Sequence, residues 1–122
     1  EEDVYIFAKA RGSVDVWWAP FEAGAVLTRV DSLDLTSLGA DERVRGAALD
    51  YEDGRLLLRT DSFLLEFCLE QQSQLREISA VSYHVSPSED EPQGESGALD
   101  GDHYWHTSEG EGEPIYRSTV LP

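Results

Sequence analysis

Four charged positions in this chain recur in pairs, and that recurrence is where chemistry is most readily sought. Arg45 opens Arg45-Gly46-Ala47-Ala48-Leu49-Asp50, and Asp61 closes Arg59-Thr60-Asp61. About fifty residues further on, Glu95 opens Glu95-Ser96-Gly97-Ala98-Leu99-Asp100, and Glu109 closes Thr107-Ser108-Glu109. If the two stretches are copies of one unit, Arg45 falls where Glu95 falls and Asp61 where Glu109 falls. Opposite charges on neighbouring units suit a zwitterionic or anionic ligand, with Arg59 and Asp61 as further candidates to bind it. The same charges can equally form a structural ion pair between units.

Other reactive side chains offer less. His103 and His106 bracket Tyr104-Trp105. Residues three apart on a strand point to opposite faces, so this pair cannot chelate a zinc ion, which needs convergent ligands. His84 stands alone. No Gly-x-Ser-x-Gly elbow occurs, which leaves Ser/His/Asp hydrolysis without an anchor. Asp100-Gly101-Asp102 is shorter than a calcium loop and reads as a turn. Cys68, the single cysteine, lies in an apolar run and reads as a small buried hydrophobe without a disulfide partner. Trp17-Trp18 and Trp105 offer a sugar-stacking surface or, as aromatic strands more commonly do, a core between sheets.

These positions need elements to hold them. Val4-Tyr5-Ile6-Phe7-Ala8 is β-branched and aromatic and reads as a strand. Arg11-Gly12-Ser13 supplies a turn, and Val14-Asp15-Val16-Trp17-Trp18 a paired strand ended by Pro20. Residues 25–30 form a third strand that 32–35 extend, and 36–43 are a loop or at most one helical turn. Residues 44–50 make a small-residue strand, followed by the Asp-Gly turn signal at Glu52-Asp53-Gly54. Residues 55–60 and 63–69 form a middle pair, with 75–83 as an outermost strand. An acidic, proline-bearing connection covers 86–94, and 95–119 supply three more strands without a fourth.

A period near fifty residues, built of short strands, is the signature of a β-propeller blade. The expected fold class is all-β: a propeller segment of about two and a half four-stranded antiparallel blades. Chain 1–122 forms one unit, with blade parts at 1–35, 44–84 and 95–120. Small side chains suit the inner strand at 44–50, because blades crowd together near the axis. A closed ring needs ~4–8 blades, and an incomplete blade leaves open strand edges. Another polypeptide, or copies of this chain, must then close the ring. The start at Glu1-Glu2-Asp3 reads as the edge of a longer or processed chain.

The formal charge of −16, from 25 acids against 9 bases, argues against nucleic acid, whose phosphates need clustered Lys and Arg. It suits solubility, or the attraction of cations and basic partners. No run approaches the ~18 apolar residues of a membrane span. The 40% apolar content supports one core.

Gln93-Gly94-Glu95-Ser96-Gly97-Ala98-Leu99-Asp100, followed by Tyr104-Trp105-His106-Thr107-Ser108-Glu109, resembles the repeat of β-propeller phytases and the wider phytase-like, esterase-like group. Asp53-Gly54-Arg55-Leu56-Leu57-Leu58-Arg59-Thr60 is similar to blades of secreted bacterial propellers, and the likeness covers about residues 44–117. In phytases, acids on the equivalent strands hold calcium at the axis and near the substrate phosphates. The resemblance therefore implies calcium as a cofactor, with Glu95 and Glu109 at the metal-holding positions. Calcium takes roughly six to eight oxygens, of which two carboxylates supply a part. The chain departs from the family at Ser96, where glycine is usual, and at Ser108, where a second acid is common.

Three functions follow as expectations. The first is a non-catalytic binding or scaffold propeller segment. The second is a fragment of a calcium-dependent, phytase-like phosphoester hydrolase whose site needs residues from elsewhere. The third is a lectin-like ring assembled from short chains. The resemblance places all three outside the cytoplasm, extracellular or periplasmic.

Overall fold

The computed structural model describes residues 2–10, 12–38, 42–87, 94–101 and 103–119, with backbone alone at 94, 95 and 119. Among the described residues, ten strands form three antiparallel sheets that follow one another along the chain. The first sheet holds β1 (Asp3–Ala10), β2 (Ser13–Pro20) and β3 (Thr28–Asp34). The second holds β4 (Val44–Asp50), β5 (Arg55–Thr60), β6 (Phe63–Cys68) and β7 (Tyr83–Pro87). The third holds β8 (Gly94–Asp100), β9 (His103–Ser108) and β10 (Tyr116–Thr119). Each strand pairs with its sequence neighbour. The all-β expectation is what the described residues adopt.

The second sheet is the middle layer, and its sequence shows why. Strands covered on one face alternate polar with apolar, whereas those covered on both read as continuous apolar runs. Leu56, Leu57 and Leu58 of β5 are all buried, as are Leu64 and Leu65 of β6. Leu56, Leu58, Leu65 and Phe67 pack toward the first sheet, against Val14, Val16, Leu33 and Leu35. Leu57 and Leu64 point the opposite way and meet Tyr104 of the third sheet. The first strands of the sheets are neighbours: β1 contacts β4, and β4 contacts β8.

The stretch expected as an outermost strand, 75–83, is different. Residues Gln72–Ala80 form 3-10 turns broken at Glu77 (φ −139°, ψ 41°), and the fourth strand lies beyond them at Tyr83–Pro87. A 3-10 turn repeats every three residues, which places Leu75 and Ile78 on one face, where a strand would separate them. Both are buried in the core between the first and second sheets. The segment is tied to β3 by Ser79, whose backbone N–H donates to Asp31 Oδ2 at 2.7 Å and whose hydroxyl donates to Asp31 Oδ1 at 2.9 Å. Arg76 stacks on Trp18 of β2, 4.5 Å from the ring centroid.

Boundaries elsewhere shift by a few residues. β7 takes in Ser86 and Pro87, so the second sheet outruns the expected limit at 84 and shortens the connection expected over 86–94. Residues 88–93 lie outside the described ones. The third strand starts at Thr28, not at residue 25. Among the described residues of 36–43 there is one short 3-10 turn, Thr36–Leu38. Cys68 is exposed rather than buried. It is the last residue of β6, opposite Arg55.

Candidate functional site

The charged positions singled out by their recurrence lie on the second and third sheets, at matching places. In the second sheet Val44 pairs with Thr60 and Gly46 with Arg59, leaving Arg45 as the extra residue of a β-bulge. In the third, Gly94 pairs with Ser108 and Ser96 with Thr107, leaving Glu95 in the same position. The register thus makes Arg45 equivalent to Glu95, and Asp61 equivalent to Glu109. A bulge re-aims the side chain it carries. Arg45 uses this to reach past the ladder, where its Nε donates to Asp61 Oδ1 at 2.7 Å in a half-buried pair.

Arg59 is fully buried on the face of β5 that meets the third sheet. Its Nη1 lies 3.5 Å from Nδ1 of His106, itself buried. A guanidinium only donates, so this contact selects the imidazole tautomer with a bare Nδ1 and a protonated Nε2. That Nε2 lies 2.8 Å from Ser118 Oγ on β10 and donates to it. The imidazole also stacks on Tyr116, centroids 5.5 Å apart.

A third group, which the sequence reading did not single out, ties the same two sheets together. Arg55 Nε donates to Glu66 Oε1 at 2.6 Å, and the Tyr104 hydroxyl donates to Glu66 Oε2. Arg55 Nη1 also donates to the Gly101 carbonyl of the third sheet. Glu66 and Tyr104 are both buried. Burial, and then the hydrogen bond to Glu66, push the Tyr104 phenol well above its ordinary range. A buried carboxylate that accepts from a guanidinium and a phenol adds little net stability, because desolvation offsets the Coulombic gain, whereas losing one partner would strand a buried charge. One signal was available in the sequence: Glu66 is a lone acid inside the apolar run of β6.

The candidates therefore separate. Arg45 and Asp61 are brought together, and Arg59 enters the seam between sheets. Glu95 occupies the bulge of β8, and its side chain lies outside the described residues. Glu109 is exposed in the bend after β9. Among the described residues, no three His, Cys, Asp or Glu side chains converge as a metal site would require. His103 and His106 point to opposite faces, and Trp105, also turned away from the seam, donates through Nε1 to Asp100 Oδ2 at 3.1 Å. Comparison of the chain with models of protein families, with curated proteins and with solved structures finds no match.

Proposed function

We propose that the three sheets are consecutive blades of a β-propeller, and that the chain serves as a binding or scaffold segment of such a ring, not as its catalyst. One observation carries the reading: successive sheets use the same faces. Leu56 and Leu58 of β5 pack toward the first sheet, and Tyr104 and His106, at the equivalent places of β9, pack toward the second. The neighbouring first strands support it, since the innermost strands of blades crowd around an axis.

The outer faces support closure by another polypeptide or by copies of this chain. Tyr5 and Phe7 pack inward, so Ile6 points away from the second sheet and is 43% exposed. Trp105, facing away from the second sheet on the far side, is 38% exposed. A further blade on either side would cover both. The charged candidates engage the protein's own groups, Arg45 with Asp61 and Arg59 with His106, which supports a structural role for them. The relationship to secreted phytase-like propellers, and the extracellular or periplasmic location it implies, belong to the same reading.

Sedimentation velocity at micromolar concentration tests it. The expected result is a species heavier than the 13.6 kDa chain, reduced toward that mass by Ile6→Glu or Trp105→Glu. A single 13.6 kDa species of the unmodified chain would overturn closure by copies of this chain and leave another polypeptide to cover Ile6 and Trp105. A rise in Tm with calcium that is lost in Glu95→Gln would favour the phosphoester hydrolase instead. A closed ring of identical chains would favour the lectin-like assembly.

A further inference from the structure

A cleft of about 650 Å³ opens between β1 and β4, within the size range of small-ligand sites. Its chemistry is one-sided. Aromatic rings of Tyr5, Phe7, Phe21 and Tyr51 line it, with Leu49, Leu56 and Leu75 as an apolar floor. The charged side chains on its wall are the carboxylates of Glu2 and Asp3. Tyr51 is 57% exposed and Phe21 68%, so both rings present faces that a ligand can cover. A second hollow of about 220 Å³ adjoins it across the β4–β5 turn and shares Leu49, Tyr51, Gln72 and Leu75. Its charged wall is again acidic, from Asp50, Glu52, Asp53 and Glu70.

Among the described residues, neither hollow is lined by Lys or Arg. Arg76 acts on Tyr5 electrostatically, yet it is held on the Trp18 ring and does not line the cleft. An anion entering these two hollows would meet carboxylates in both; the basic side chains of the β1–β4 gap, Lys9 and Arg45, line a further hollow that shares Tyr5, Phe7 and Ala47. An inorganic cation would find charge but gain nothing from the rings and the leucine floor. An ammonium group gains from both, through the carboxylates and through the faces of the tyrosines.

From this charge complementarity we propose that the joined clefts bind an aliphatic polyamine. One ammonium lies at Asp3 among Tyr5 and Tyr51, the methylenes run over Leu49 and Leu75, and the second ammonium lies among the acids of the β4–β5 turn. The site is complete within this chain and does not depend on the sheets belonging to a closed ring.

The test is titration of the full chain with putrescine, followed by NMR chemical shifts of the tyrosine ring protons, at physiological ionic strength. Putrescine should saturate shifts of Tyr5 and Tyr51, while butanediol, its uncharged counterpart, should not. Tyr51→Ala and Asp3→Asn should each weaken binding about threefold or more, the scale of an exposed cation–ring or surface charge contact. Glu111→Gln, an exposed acid remote in sequence from both hollows, should leave the affinity unchanged. Circular dichroism of each variant would establish that it is folded. Binding of butanediol as tight as that of putrescine would overturn the proposal. So would equal weakening by Glu111→Gln, or displacement of putrescine by equimolar magnesium, because either outcome reduces the effect to the general field of an acidic protein.

Discussion

At the scale of single residues, the seam between the second and third sheets turns on Glu66, which receives Arg55 from its own sheet and Tyr104 from the next. Tyr104 makes this testable through pH. Burial first, and the bond to Glu66 second, raise its phenol above the ordinary tyrosine value of 10.0. In the unfolded chain it ionises at about pH 10. Above that pH the unfolded state releases a proton that the folded state retains, so unfolding is favoured. The contribution is therefore complete below the unfolded value and is lost as pH rises through the folded one. Urea midpoints at pH ~8 and ~11 should fall further apart for the parent chain than for Tyr104→Phe. Equal differences would contradict the account. Tyr5 is also raised, mainly by burial, but it is present in both proteins and cancels in the comparison. What the sequence made legible at this scale was the equivalence of Arg45 with Glu95, because the two copies share a spacing. Glu66 was hidden by its setting, since a charge inside an apolar strand announces burial without naming its partner. Cys68 misled for a related reason: composition marks the run as buried, but not the residue at which cover ends.

At the scale of elements, strands were readable wherever a sheet face dictated periodicity. The three leucines of β5 signal cover on both faces, and the Asp-Gly pair signals the turn before it. The 3-10 segment was not readable as such. Leu75 and Ile78 fit an apolar run of either kind, and only the cleft between two sheets decides that both must point one way. The turns differ in a way that a pair of variants can measure. Gly54 has φ +61°, and a Cβ there would collide with the Leu69 backbone carbonyl, whose residue also donates its N–H to the Gly54 carbonyl at 2.6 Å. Gly101 has φ +54° but open space around it. Gly101→Ala should therefore cost only the left-handed backbone penalty, about 1–2 kcal/mol. Gly54→Ala should cost more, because steric displacement of β6 is added to the same penalty. Chemical denaturation of both variants checks this, and equal losses would refute the role given to the Leu69 contact.

At the scale of the whole molecule, −16 charges on 122 residues repel one another in any compact state. The Arg55–Glu66 pair is buried and little screened, whereas most acids are not. Raising sodium chloride from ~10 mM to ~300 mM should therefore raise Tm, since screening relieves repulsion more than it weakens the few exposed pairs. A lower Tm in high salt would mean that surface ion pairs dominate. The 3-10 segment has a consequence on this scale too. The first two sheets touch along β1 and β4, while β2 and β3 meet the second sheet's 3-10 segment. Sheets joined at one end and propped apart at the other enclose an angle, and Leu75 and Ile78 are the prop. That separation is set by one connection, so shortening 72–80 would bring β2 and β3 closer to the second sheet while the contact of β1 with β4 stays in place.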